Sequence, residues 1–88
     1  MNLSKKTLSD IDTKLNELLT SFVNVELVDG VISIDCNSSS YGTLVFVIPF
    51  FVNKIKCEIR VFKGCPDISL EKLNLIKEII STELAKIP

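Results

Sequence analysis

Apolar residues recur along this chain with two different periods, and the switches between them divide it into six segments. In the first, Leu8, Ile11, Leu15, Leu18, Leu19 and Phe22 stand three and four apart, the spacing of one α-helical face. Lys14, Asn16 and Glu17 fall elsewhere on the helical wheel. Ser4 is a candidate N-cap, since its hydroxyl can accept from a first-turn N–H that has no partner within the helix. The pattern predicts a helix from there to about Leu19, with one apolar stripe that lies on something flat.

From Val23 the period changes to two. Val23–Val28 and Val31–Cys36 flank Asp29-Gly30, a dipeptide suited to a type I′ turn because both central positions need positive φ. That turn sets Val28 opposite Val31, Leu27 opposite Ile32, Glu26 opposite Ser33, Val25 opposite Ile34 and Asn24 opposite Asp35. One face then carries Val23, Val25, Leu27, Ile32, Ile34 and Cys36, and the other is mostly polar. Asn37-Ser38-Ser39-Ser40-Tyr41-Gly42 reads as a polar connector, with Tyr41 placed to cover a sheet edge.

Thr43–Val52 is a strand with bulky apolar residues in both phases, and Lys54–Phe62 alternates cleanly. With Asn53-Lys54 as the turn, Phe46 faces Val61, Ile48 faces Ile59 and Phe50 faces Cys57 on an apolar side. The opposite side pairs Val45 with Phe62, Val47 with Arg60, Pro49 with Glu58 and Phe51 with Lys56. Pro49 cannot donate to a ladder, which is awkward for a central strand. The difficulty is met if the second strand pairs only with residues 43–48. Pro66-Asp67 ends the sheet and a second helix begins near Ser69, with Leu73, Ile76, Ile80, Leu84 and Ile87 as its main stripe. Ile68, Leu75 and Ile79 widen that stripe, so this helix also touches the first helix or another chain.

The expected fold class is therefore α+β, one domain spanning 1–88: a two-layer sandwich in the order α-β-β-β-β-α. Short connections predict that each strand neighbours the next in a four-stranded antiparallel meander, with both helices on its apolar face.

Composition narrows the chemistry. Eighty-eight residues with 47% hydrophobic and 24% charged side chains have the balance of a folded chain. Ten basic against eleven acidic residues give net −1, so no global field draws it to nucleic acid or an anionic membrane. Histidine is absent, which removes the commonest general base and metal ligand, and tryptophan is absent as well. Lys5 and Lys6 are not followed by an apolar run of secretory type. The longest apolar run, Leu44–Val52, contains Pro49 and falls far short of the ~20 residues of a membrane helix. Cys36, Cys57 and Cys65 are odd in number and form no CxxC, so the expectation is three reduced thiols in a soluble, cytoplasmic chain. Cys65, just before the second helix, is the one placed to be reactive. No cofactor and no metal is expected.

Three functions compete. The first is a non-enzymatic protein–protein interaction module (homodimer, adaptor, chaperone or inhibitor) built on the outer face of the third and fourth strands. Val45, Val47, Pro49, Phe51 and Phe62 would form its apolar centre, and Lys56 and Arg60 its charged rim. Each large side chain there would gain roughly 1.5–3 kcal/mol on full burial. The second is single-stranded nucleic-acid binding through Lys54, Lys56, Arg60 and Lys63, with Phe51 and Phe62 as stacking faces. Net −1, a single arginine and the acids Glu26, Asp29 and Asp35 speak against it, and lysines of this kind also guard a sheet edge. The third is an enzyme, for which Asp35, Tyr41 and Cys65 lack a paired base, and Asp35 with Glu26 offers at most two carboxylates to a metal. Nine lysines against one arginine, with a single alanine, suggest an AT-rich coding genome, such as that of a bacterium, phage or mobile element.

Overall fold

A computed structural model describes residues 3–37 and 42–87. Helix α1 spans Lys5–Leu19, and strands β1 (Val23–Val28) and β2 (Val31–Cys36) follow it. Strands β3 (Leu44–Val52) and β4 (Ile55–Phe62) and helix α2 (Leu70–Leu84) complete the chain. The Tyr41 expectation lies outside the described residues.

Both helices start where their serines predict. The Ser4 hydroxyl accepts from the Thr7 N–H and the Ser69 hydroxyl from the Lys72 N–H, each partnering a first-turn donor. Helix α1 stops at Thr20, which turns left-handed at φ 47°. Phe22 lies beyond that stop and is exposed, so it does not belong to the α1 stripe.

The β1–β2 hairpin has the expected register at every position, from Val28↔Val31 to Asn24↔Asp35. Asp29 and Gly30 both take positive φ, 50° and 79°, as a type I′ turn requires. Asn53 and Lys54 do the same in the β3–β4 hairpin, at 49° and 68°. There the register holds from Phe46↔Val61 to Phe51↔Lys56. It fails at one point: Phe62 pairs with Leu44 and not with Val45, which is the extra residue of a β-bulge.

The meander is overturned. The sheet order is β1-β2-β4-β3, and β2 pairs with β4 in parallel, so the sheet is mixed. Two hairpins thus lie side by side with their turns at the same end. Residues 37–43 reach roughly 23 Å when extended, against roughly 10 Å for two strand spacings, so a short connection does not force neighbours to pair. The outer faces of β2 and β4 match: Asp35 stands beside Arg60, and Ser33 beside Glu58. A strand like β3, with Pro49 and no charge, then takes the edge, the place where a proline costs no interior ladder bond. The expectation that the lysine-bearing β4 guards an edge is corrected by the same arrangement, since β4 is central.

Ile11, Leu15 and Leu19 of α1 and Ile76, Ile80 and Leu84 of α2 join Val23, Val25, Ile32, Ile34, Ile59 and Val61 of the sheet in one core. The wide stripe of α2 is accounted for partly by contact with α1. There Glu83, almost fully buried, accepts from Lys14 and forms a second ion pair with Lys86 at 3.1 Å. Lys14 and Lys86 hold its carboxyl below the usual value.

Candidate interaction edge

The sheet has two edge strands, and α1 treats them differently. Asn16 projects from α1 onto the free side of β1, donating to the Val23 carbonyl at 3.0 Å and accepting from the Val23 N–H at 3.0 Å. Its amide thus supplies the donor and acceptor that a neighbouring strand would have supplied. One turn earlier on the helix, Asp12 accepts from the Val25 N–H at 3.2 Å and from the Asn16 amide at 2.6 Å. The first half of edge β1, Val23–Val25, is closed by side chains, while Glu26–Val28 stays exposed.

Along β3, from Leu44 to Phe51, no side chain among the described residues hydrogen-bonds to the backbone. This edge is open and apolar. Val45 is 58% exposed, Phe46 48%, Val47 41% and Phe51 65%, and the nine residues of β3 include no charge. Phe46 was expected under the helices. It lies bare because α2 meets β3 near the buried Phe50 and not at the strand's beginning.

The sequence-derived candidates divide accordingly. Val45, Val47, Pro49, Phe51 and Lys56 are exposed, and Arg60 and Phe62 are half-buried. The Arg60 guanidinium lies 5.5 Å over the Phe62 ring and 3.4 Å from the Asp35 carboxylate, so it is already engaged within the chain. Partial burial, with Glu26 and Glu58 nearby, pushes the Asp35 carboxyl up, against the pull of Arg60. Asn24, Asp35, Arg60 and Val47 form one row across the outer face, and Glu26, Ser33, Glu58 and Pro49 the next. Each row runs from polar at β1 to apolar at β3.

Sequence reasoning set Asn16 among the solvent-facing residues and passed over Asp12. A polar residue at each of two positions four apart, flanking the apolar stripe of a helix that precedes an edge strand, was the available signal. Sequence reasoning also expected three free thiols. Cys36 and Cys65 are instead bonded to each other, with Cα atoms 5.8 Å apart, and only Cys57 is free. Cys57 is fully buried, and burial pushes its thiol up to about 11. The premise of three reduced thiols, on which the cytoplasmic expectation partly rested, is thereby removed.

Among the described residues no helix is long and apolar enough to cross a membrane, and no three acidic or cysteine side chains gather as a metal site would need. A groove of about 320 Å³ between α1 and α2 is lined by Leu18, Leu75 and Ile79 with Lys14, Glu78 and Thr82 at its rim.

Two helices on a four-stranded mixed sheet, with one edge partly covered by α1 and one edge bare, make this an α+β protein. No family model, curated protein or solved structure matches the chain.

Proposed function

We propose that this chain is a non-enzymatic protein-interaction module that engages its partner through β3, most simply a second copy of itself about a two-fold axis. The observation that carries the reading is the contrast between the sheet edges: Asn16 and Asp12 occupy the first half of β1, while Leu44–Val47 stands exposed with no charge to repel another strand. A long, uncharged apolar edge is what β-strand addition uses, with backbone groups giving affinity and alternate side chains giving specificity. Pro49 and the bulge at Val45 shorten the usable ladder, so the outer-face side chains Val47, Pro49 and Phe51 contribute alongside it. Lys56 and Arg60 form the polar rim. A two-fold pairing is self-complementary, which suits a strand with no charge pattern to align.

The reading is one of binding and not of catalysis: Asp35 faces Arg60, and Cys65 is bonded to Cys36, so neither offers a free nucleophile or base to a substrate. A cytoplasmic location belongs to the same proposal only where the thiol pool leaves or remakes the Cys36–Cys65 bond.

Light scattering across a concentration series tests it. Wild type should reach twice the chain mass at high concentration, and Val47→Glu should remain at the chain mass with an unchanged circular dichroism spectrum. A wild type that stays at the chain mass throughout excludes the second copy. If Val47→Glu is unfolded, Val47 is part of the core and the face is misassigned.

A further inference from the structure

Cys36 closes β2, and Cys65 lies 29 residues later in the linker between β4 and α2. Their bond sits at the centre of a small knot of contacts at the end of the sheet opposite the hairpin turns. The Asn37 N–H donates to the Phe22 carbonyl at 2.7 Å, just before β1, and the Asn37 side chain donates to the Lys63 carbonyl at 2.9 Å. The Lys63 N–H in turn donates to the Thr43 carbonyl at 2.8 Å, just before β3. Gly64 permits this: it sits at φ 94°, and a Cβ there would lie 2.5 Å from the Asn37 amide nitrogen. The approaches to β1 and β3 and the exits from β2 and β4 therefore meet within these few residues. Because β4 lies between β2 and β3, the Cys36–Cys65 bond is the covalent tie between the end of β2 and the chain leaving β4. The exposed stretch Leu44–Val47 begins next to it.

We propose that Cys36 and Cys65 are a thiol–disulfide exchange site, with a small thiol such as glutathione as the exchange partner, and that their bond sets the order of the sheet end from which Leu44–Val47 projects. The two sulfurs are unequal in access: Cys36 is fully buried and Cys65 half-buried. An incoming thiolate attacks the Cys65 sulfur, and the Cys36 sulfur leaves with the bonding pair and takes a proton from water. A second thiolate attacks the sulfur of the small thiol in the resulting mixed disulfide. This releases the oxidised small disulfide and the Cys65 thiolate, so that two electrons pass from two thiols to the protein bond. Closure is the reverse, with the small disulfide as the oxidant. Cys57 stays outside this exchange because it is sealed in the core, away from both. Control of the interaction edge by this bond rests on the function proposed above; the exchange chemistry does not.

The test uses the full chain in glutathione buffers of graded oxidation, with thiols counted by alkylation after unfolding and backbone protection read by amide hydrogen exchange. One thiol per chain is expected under oxidising conditions and three under reducing conditions. On reduction, protection of the Asn37 and Lys63 amides should fall by about tenfold or more and drop below that of Ile32 and Ile34, whose loss follows only the change in global stability. Cys65→Ser should show the lowered protection in either buffer, and Cys57→Ala should respond as wild type does. Three thiols in oxidising buffer, or equal Asn37 and Lys63 protection in both states, overturns the proposal. Light scattering on the same samples separates the two claims. A redox-responsive chain that remains at the chain mass in both states removes the self-association reading and leaves the exchange site standing.

Discussion

The two edge strands of this sheet come from hairpins of nearly the same design, and they end in opposite conditions. Each hairpin turns through two residues of positive φ, and each lays an alternating strand against the helices. β1 carries Asn24 and Glu26 on its outer face, and the free backbone of its first half, at Val23 and Val25, is answered by Asn16 and Asp12 from α1. β3 carries apolar groups on both faces and lacks such cover along Leu44–Phe51 among the described residues. The lesson is that an edge is sealed by what precedes it in the chain. α1 leads directly into β1 and lies within side-chain reach of it, whereas α2 follows β4 and meets β3 near Phe50.

That contrast can be broken in several places. The largest expected effect is at the tie beside the bare edge. Opening Cys36–Cys65 releases a loop closed over 29 residues, and chain-entropy arguments put the loss of stability at about 3.5 kcal/mol. Urea unfolding of the wild type with and without a thiol reductant measures it, and identical midpoints would mean the bond does not form. Next comes the covered half of β1. Asn16→Ala removes both bonds to Val23 and leaves its buried N–H and carbonyl without partners, a loss of about 2 kcal/mol. An unchanged unfolding midpoint would mean that water serves β1 as well as Asn16 does, and the two edges would then not differ.

Acid should act on the contact that holds α1 against α2. The Glu83 carboxyl is lowered in the fold from its ordinary 4.5, so its contribution is fully present above 4.5 and is lost as pH falls through the folded value. Asp35 has the opposite sign. Its carboxyl is raised from 3.8, so the folded chain holds that proton more tightly, and stability declines as pH rises from 3.8 through the folded value. Unfolding midpoints followed through the acid range should show a shallower acid loss in Glu83→Gln and a steeper one in Asp35→Asn. Parallel curves for both variants would refute these assignments.

The smallest changes concern the turns and the bare face. Lys54 occupies a left-handed position at φ 68°, where glycine is unpenalised, and Lys54→Gly should stabilise by about 0.5–1 kcal/mol. At a concentration where the wild type is at the chain mass, Val47→Glu should alter stability by less than about 0.5 kcal/mol, because Val47 faces outward on an edge strand. A large loss in that variant would show that β3 is already covered.

Much of this fold was legible in the chain because it is local. Ser4 and Ser69 with their apolar stripes fixed where the helices begin, and Asp29-Gly30 and Asn53-Lys54 with period-two alternation fixed the two registers to within one bulge. Turn geometry and side-chain period act over a few residues, so each is written where it operates. The exposure of Val45, Val47 and Phe51 was legible for the same reason, since a strand apolar in both phases has more greasy surface than one layer of helices can cover. The order of the hairpins was not, because residues 37–43 are long enough for either β3 or β4 to lie beside β2, and the choice falls to how whole faces match. Pro49 pointed to the edge, but a proline says only where a strand cannot be, not which neighbour replaces it. The pairing of Cys36 with Cys65 and the reach of Asn16 to Val23 depend on distances that exist only after the sheet has assembled.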